Sequence, residues 1–227
     1  SKKDIRDYVP WLTFTHARNI KNQLPVKPEY DPYNYVCLLR DKFVFEAFCK
    51  GTGIKTPVNI GMINDSSFYL IKESKFFHLE EITNFELDAF CKREVSFGGG
   101  KPRDVIKLRI LGKEIFMNDT KKTYTEFKQF LGNNKWIIQE RIKNQAPEYA
   151  LLHPDSINTI RIITINTGLE IEILCAKLRI GVNGSYTDNG SSGGIGVNIE
   201  HGSLVKWGFY KVGLGTKCDR HPNSNVL

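Results

Sequence analysis

From Asn59 onward the chain alternates short runs in which every second residue is apolar with turns rich in Gly, Asn, Asp and Ser, a pattern that predicts half-buried strands. GIKTPVNIGMI reads as a turn entering a strand, and NDSS followed by FYLIK as its hairpin partner. ELDAFCK, VIKLRI and LGKEIFM predict three more strands, and WIIQERI a short one. NTIRIITIN turns at Thr167-Gly168 into LEIEILCAKLRIG; after the loop VNGSYTDNGSSGG, IGVNIEHGSLVKW reads as one further strand. Two windows are helical instead. DKFVFEAFCKGTG follows the Pro- and aromatic-rich lead Pro25 to Tyr35, with Asp41 as cap or first-turn acid, Phe43, Ala47 and Phe48 on one face, and Gly51 or Gly53 as the stop. DTKKTYTEFKQFLGN is expected to be capped at Asp119 or Thr120 and stopped by Gly132. Hairpins outnumber βαβ crossovers, so the predicted class is α+β with antiparallel sheets.

One interruption exceeds what a hairpin needs. In FCKREVSFGGGKPRDVIKL two strands are separated by Gly98, Gly99 and Gly100, just after Lys92. Two readings stand: a flexible loop, or a loop whose bare N–H groups approach an anion with Lys92 beside them as a point charge. Further cations alternate out of apolar strands: Arg161 between Ile160 and Ile162, and Lys177 and Arg179 around Leu178. They suit a phosphate clamp or a solvated sheet face paired with Glu170 and Glu172.

With 227 residues, 41% apolar and 11% aromatic, the chain is long enough to bury a core in one large or two small domains. No apolar run reaches the roughly 18 residues of a membrane span. The charged start SKKDIRDY lacks the apolar segment of a signal peptide, so the expected setting is cytoplasmic. Cys37, Cys49, Cys91, Cys175 and Cys218 are scattered, without a CxxC pair or clustered His, which argues for reduced, mostly buried thiols over disulfides or zinc. The net charge of +7 would suit nucleic acid, but Lys and Arg are dispersed, without a basic helix or an RNP-like aromatic stripe. A small polyanion such as a nucleotide, or plain surface lysines, accounts for it equally well.

RDKFVFEAFCKGTGIKTP resembles the opening of the nucleotide-binding half of ATP-grasp enzymes, and the Lys92-to-glycine stretch resembles their "vvKP" strand and phosphate loop, with Arg93 in place of proline. WIIQERI resembles their adenine hinge. HPDSINTIRIIT with KLRIGVNGSYTDNGSSGGIGVNIEHG resembles the "svNTiRivT" and "vDNfs.GGi" signatures of the sugar-transfer-associated ATP-grasp family, found among genes for surface polysaccharides. The resemblance implies an ATP-grasp fold, with two α+β subdomains holding nucleotide between antiparallel sheets. Residues 1–57 would form a lead and first helix, residues 58–140 the smaller subdomain with its phosphate flap, and residues 141–227 the larger one, incomplete at its C-terminus.

The implied activity is an ATP-dependent carboxylate ligase forming an amide or ester through an acyl phosphate, with ATP and Mg2+ as cofactors and a sugar-linked amine or hydroxyl acceptor. Nucleotide would meet Lys42, Lys92, Lys177 and the flap residues Ser96, Gly98, Gly99 and Gly100, with Gln139, Glu140 and Ile142 around the adenine. The strand edge of WIIQERI would offer backbone groups to the ring. Arg161 and Arg179 would act on the transferring phosphoryl group. Asp188, with Asn189, would bind magnesium or acceptor, or else start an Asx turn. Asn158 and Thr159 fix the loop, and His153 and His201 are lone histidines with structural or surface roles. The chain stops at HPNSNVL, ahead of the "IGWD" and "EGN" segments that hold magnesium in such ligases; the expectation is a longer protein, the alternative a degenerate member that binds nucleotide poorly. Asn198 is no substitute, because Gly196 stands where the acidic partner belongs. A non-catalytic nucleotide- or polyanion-binding module, or a nucleic-acid-binding protein, is the alternative.

Overall fold

The computed structural model describes residues 36–95, 104–143, 146–211 and 213–226. The proposed flap residues Ser96, Gly98, Gly99 and Gly100 lie outside them, as do the lead Pro25 to Tyr35 and the chain terminus. The chain divides into two compact units, Ser1–Lys55 and Thr56–Leu227.

The described part of the first unit is helical: α1 (Val36–Arg40) and α2 (Lys42–Gly51). Asp41 caps α2, its carboxylate accepting from the N–H groups of Phe43 and Val44 at 2.9 and 3.0 Å, which satisfies two of the orphan donors of the first turn. Gly53, at φ +76°, follows the last turn as the sequence predicts. The buried position is Cys49, whereas Ala47 and Phe48 are exposed, so the face expected from Phe43, Ala47 and Phe48 is not the one that is hidden.

The second unit holds two antiparallel sheets. The first contains β1 (Asn59–Asn64), β2 (Ser67–Leu70), β3 (Lys75–His78), β4 (Leu87–Arg93), β5 (Val105–Leu111), β6 (Glu114–Met117), β7 (Thr120–Lys122) and β8 (Lys135–Glu140), in spatial order β3-β2-β1-β8-β4-β5-β6-β7. Alternation drives one face into the core: Ala89 and Cys91 of β4, and Ile106, Leu108 and Ile110 of β5, are buried with Ile63 and Phe68. Phe127 and Leu131 lie four residues apart on α3 (Tyr124–Leu131) and pack onto the same core. Each such side chain contributes about 1.5–3 kcal/mol on burial. Burial also pushes the Cys91 thiol far up, leaving it protonated and inert. Trp136 reaches across this core, and its indole N–H donates to the carbonyl of Leu131 at 2.9 Å.

The start of α3 and the place of WIIQERI also differ from the sequence expectation. Asn118 and Asp119 both adopt left-handed φ, +49° and +63°, as the two-residue turn pairing Met117 with Thr120, so no helix can start there. The cap of α3 is Thr123: its hydroxyl accepts from Glu126 N at 3.2 Å, and the Glu126 carboxylate accepts from Thr123 N at 2.8 Å, a closed capping box. The second difference concerns WIIQERI, expected to present a strand edge. β8 is central, hydrogen-bonded to β1 on one side and β4 on the other, and Trp136, Ile137, Ile138 and Gln139 are all buried.

The second sheet runs β13-β12-β11-β10-β9. The hairpin β9 (Thr159–Asn166) and β10 (Ile171–Ile180) turns around Gly168, as the sequence predicts. IGVNIEHGSLVKW is not one strand but the pair β11 (Ile195–Glu200) and β12 (Ser203–Tyr210), because His201 and Gly202 take positive φ and reverse the chain; β13 (Lys217–Cys218) follows. Leu178, Ile180 and Ile195 are buried, while Ile162, Ile163, Ile165, Ile171 and Ile173 are exposed on the outer half of the first hairpin. Cys175 is exposed there and Cys218 is partly so; the expectation of mostly buried thiols holds for Cys49 and Cys91. Among the described residues, no helix is long and apolar enough to cross a membrane.

Thr123→Ala should lower stability by about 1 kcal/mol, read from the denaturant midpoint. The Glu126 carboxyl is pulled from 4.5 to about 2, first by the Thr123 backbone N–H and then by Lys122 and the Thr123 hydroxyl. A depressed carboxyl stabilises above its unfolded pKa and loses that effect as pH falls through the folded value. The melting difference between wild type and Glu126→Gln should therefore be full at neutral pH and vanish between 4.5 and about 2.

Candidate functional site

In β4 the core residues Leu87, Ala89 and Cys91 alternate with Asp88, Phe90 and Lys92, which share the opposite face. Register extends that face: Lys92 lies opposite Ile137, Phe90 opposite both Gln139 and Lys107, and Asp88 opposite Arg109. Lys92 Nζ donates to Gln139 Oε1 at 2.6 Å and stands 5.6 Å from the Phe90 ring centroid. Gln139 Nε2 in turn donates to Asn59 Oδ1 and to the Pro57 carbonyl, each at 3.2 Å. Asn59 reaches Gln139 because β1 carries a bulge between Asn59 and Gly61, which turns its side chain onto the Lys92 face. Asn59 Nδ2 is buried and lacks a partner among the described residues. The face thus holds a buried amide pair, a lysine and an orphan donor, a cradle suited to a polar, anionic ligand.

The sites expected to surround an adenine are only partly adjacent. Gln139 is buried and Glu140 exposed, and the Glu140 N–H is already given to the Val58 carbonyl at 2.8 Å. Backbone free of the β8 ladder begins beyond Glu140, at Arg141, Ile142 and Lys143, where Ile142 is 45% exposed. Arg141 and Lys143 pair with Asp88 at 3.5 and 3.3 Å. Lys42 is the first residue of α2, in the other unit. Lys107 and Arg109 were not among the expected site residues, although VIKLRI alternates cation and aliphatic in the same manner as AKLRI around Lys177 and Arg179.

On the second sheet, Arg161 is the cross-strand partner of Lys177, and Arg179 of Thr159, so the three cations share one face. Arg179 donates to Asp188 Oδ1 at 2.5 Å and also to Asn189 Oδ1, while the Thr159 hydroxyl donates to Asp188 Oδ2. Asp188 is 7% exposed. Its two oxygens brace Arg179 and Thr159, and among the described residues no three His, Cys, Asp or Glu side chains gather as a metal site. The described residues alone do not assemble a magnesium site.

Asn158 fixes the loop, as the sequence suggests. Its Nδ2 donates to the carbonyls of Tyr149 at 2.7 Å and His153 at 3.2 Å, and its Oδ1 accepts from Gly181 N at 3.3 Å. His201 sits exposed in its turn. His153 is structural but not lone: it contacts Ser156 at 3.0 Å and lies 5.9 Å from the ring of His221, which donates from Nε2 to the Gly181 carbonyl at 2.8 Å. Burial lowers the His153 pKa, keeping it neutral. A Cβ at Gly181 would meet the Ser156 hydroxyl and His153 Nδ1, so only glycine lets the chain pass here.

Two antiparallel sheets with few helices, a part-buried lysine–amide contact on one sheet and an arginine–carboxylate brace on the other make an α+β protein whose cations suit an anionic ligand. The description "sugar-transfer associated ATP-grasp" fits residues 22–227, and the chain belongs to that family. Membership supports an ATP-dependent, ligase-like role; ATP-grasp domains bind ATP and typically Mg2+. No curated protein and no solved structure matches the chain significantly.

Arg179→Ala leaves the Asp188 carboxylate buried without its cation, a loss of about 3 kcal/mol. Arg161→Ala, at an exposed position, should change stability by less than about 0.5 kcal/mol. Urea melts of both variants check the contrast.

Proposed function

We propose that the protein is a carboxylate–amine or carboxylate–hydroxyl ligase that uses ATP and acts on a sugar-linked acceptor in surface-polysaccharide assembly. In this reading residues 58–140 form the smaller nucleotide-binding subdomain, residues 141–227 the larger one, and residues 1–57 the lead. The observation that carries it is the 2.6 Å contact between Lys92 and Gln139, which sets a strand-end cation beside the last buried residue of the hinge strand. The adenine edge would meet the backbone of Arg141, Ile142 and Lys143, the first outside the β8 ladder. Lys92 would neutralise the phosphates, with Lys42 as second cation and Ser96, Gly98, Gly99 and Gly100 closing over them. Without counter-charges, a phosphate tail could not leave water.

Arg161, Lys177 and Arg179 would face the transferring phosphoryl group. A carboxylate oxygen of the substrate attacks the γ-phosphorus, the bond to the bridging oxygen breaks, and ADP leaves with that electron pair. The acceptor nitrogen or oxygen then adds to the acyl carbon and loses its proton as phosphate departs. The chain's contribution is positioning and charge neutralisation, which dominate phosphoryl transfer. Magnesium, when bound, would supply charge neutralisation on the phosphates; Asp188 could join it only by exchanging its contacts to Arg179 and Thr159.

Lys92→Ala should weaken ATP binding by about a hundredfold or more while leaving adenosine binding unchanged, measured by calorimetry on folded protein. Unchanged ATP affinity would remove Lys92 from the phosphate site. ATP should also slow hydrogen exchange at Arg141, Ile142 and Lys143 more than in α3; equal effects would sink the adenine placement. Release of ADP across an array of carboxylates and amino sugars tests the ligase reaction itself.

A further inference from the structure

The turn between β6 and β7 is built from two residues with positive φ, Asn118 and Asp119. Asn followed by Gly is the favoured pair in such a turn, and an aspartate in the second place is conformationally dearer than glycine. Strain kept at a defined position is a pointer to function when the side chain there does something glycine cannot. Asp119 does. Its carboxylate accepts from Lys107 Nζ at 2.9 Å, pairs with Arg109 at 3.3 Å, and accepts from the hydroxyl of Tyr186. The Lys107 ammonium also lies 4.8 Å from the centre of the Tyr186 ring. Asn118 anchors the turn: its side chain accepts from Lys107 N, and its own N–H donates to the Lys107 carbonyl, both at 2.9 Å.

Lys107, Arg109 and Asp119 belong to the first sheet; Tyr186 belongs to the loop that follows β10 in the second. Two residues after Tyr186 that loop supplies Asp188 and Asn189, the groups that hold Arg179. The segment between is short and internally tied. Ser185 accepts from Thr187 N at 3.2 Å and donates to the Thr187 carbonyl at 2.8 Å, and the Thr187 hydroxyl donates to Ser192 at 3.1 Å. At Gly194 a Cβ would stand 2.6 Å from the Asp188 carbonyl oxygen, so the loop folds tightly back on itself.

We propose that Asp119 is a positioning residue, which clasps the Tyr186 loop of the second sheet to Lys107 and Arg109 of the first and so fixes where Arg179 and Asp188 stand. The clasp itself stands on the contacts above; its consequence for nucleotide rests on the ATP reading. The hydrogen bond is durable in pH. The Tyr186 hydroxyl and the Lys107 ammonium hold the Asp119 carboxyl below its ordinary range, and the same bond pushes Tyr186 up to about 12.

The test uses the intact chain and three variants. Asp119→Gly removes the carboxylate while suiting the positive φ, Tyr186→Phe keeps the ring over Lys107 and removes only the hydroxyl, and the third variant combines both. Amide exchange of residues 185–194 should quicken by about tenfold in each single variant and no further in the double, with β4, β5 and β8 unchanged. Tyr186→Phe carries the test if Asp119→Gly does not fold. Unchanged loop exchange in folded Tyr186→Phe, or fully additive effects in the double variant, overturns the clasp. ATP titrations supply the second readout: weaker ATP binding with adenosine unaffected supports the positioning role, and undiminished ATP binding despite a loosened loop overturns it. A wild type that binds no ATP, together with a loosened loop in the variants, leaves the clasp supported and removes the ATP reading instead.

Discussion

The first sheet depends on β8 being buried between strands that precede it in the chain. β1, β2 and β3 form one meander, β4, β5, β6 and β7 another, and neither pairs with the other directly. Residues 135–140 enter last and hydrogen-bond to both, so β8 turns two edges into an interior. Pairing on both sides satisfies its backbone N–H and C=O groups, and a one-residue slip would turn Gln139 from the Asn59 and Lys92 face into the hydrophobic core. Because register is fixed, Gln139 arrives beside Asn59 and Lys92. The polar cluster is a consequence of how the core closes.

That dependence explains what could be read from the sequence. Alternation located most strands of both sheets, since a half-buried strand writes its environment into every second residue, as ELDAFCK and VIKLRI do, but it missed the short β3, β7 and β13. The same rule has no purchase on WIIQ, where both faces are covered and the apolar run carries no face information, so its central place was invisible and an edge was expected. The turns failed for a related reason. In DTKKTYTEF four residues can cap a helix, and the choice of Thr123 rests on Glu126 closing the box while Asn118 and Asp119 are spent in a hairpin turn. His201-Gly202 in the middle of an apolar run was absorbed into one strand, although Gly after a residue tolerant of positive φ marks a reversal.

The candidate site was legible by charge type and much less by pairing. Arg161, Lys177 and Arg179 were expected on one face and lie on one face. What alternation cannot show is which cation is already neutralised. Arg179 is braced by Asp188, whereas among the described residues no ion pair joins Arg161 or Lys177 to Glu170 or Glu172. Of the two bland alternatives for this region, a solvated face and an Asx turn, neither describes Asp188, whose oxygens serve a guanidinium and a hydroxyl from two different strands.

The anions that neutralise the cations differ in whether their partners lie within one sheet or across both. Asp88, which serves Arg141 and Lys143, lies on β4, within the sheet it neutralises. Asp188 is likewise carried by the loop that follows β10, so each sheet can form its own brace without the other. Asp119 is different, because its charge partners lie on the first sheet and its hydroxyl partner on the second. An ion pair inside one sheet is formed once that sheet folds; a contact between sheets is formed only when both have folded and approached. Lys107 is 8% exposed and needs an anion in any case, so its contact and that of Arg109 hold the Asp119 carboxylate independently of Tyr186. Tyr186 then meets a preorganised acceptor, and the cost of ordering its loop is offset by a bond whose other half is already fixed.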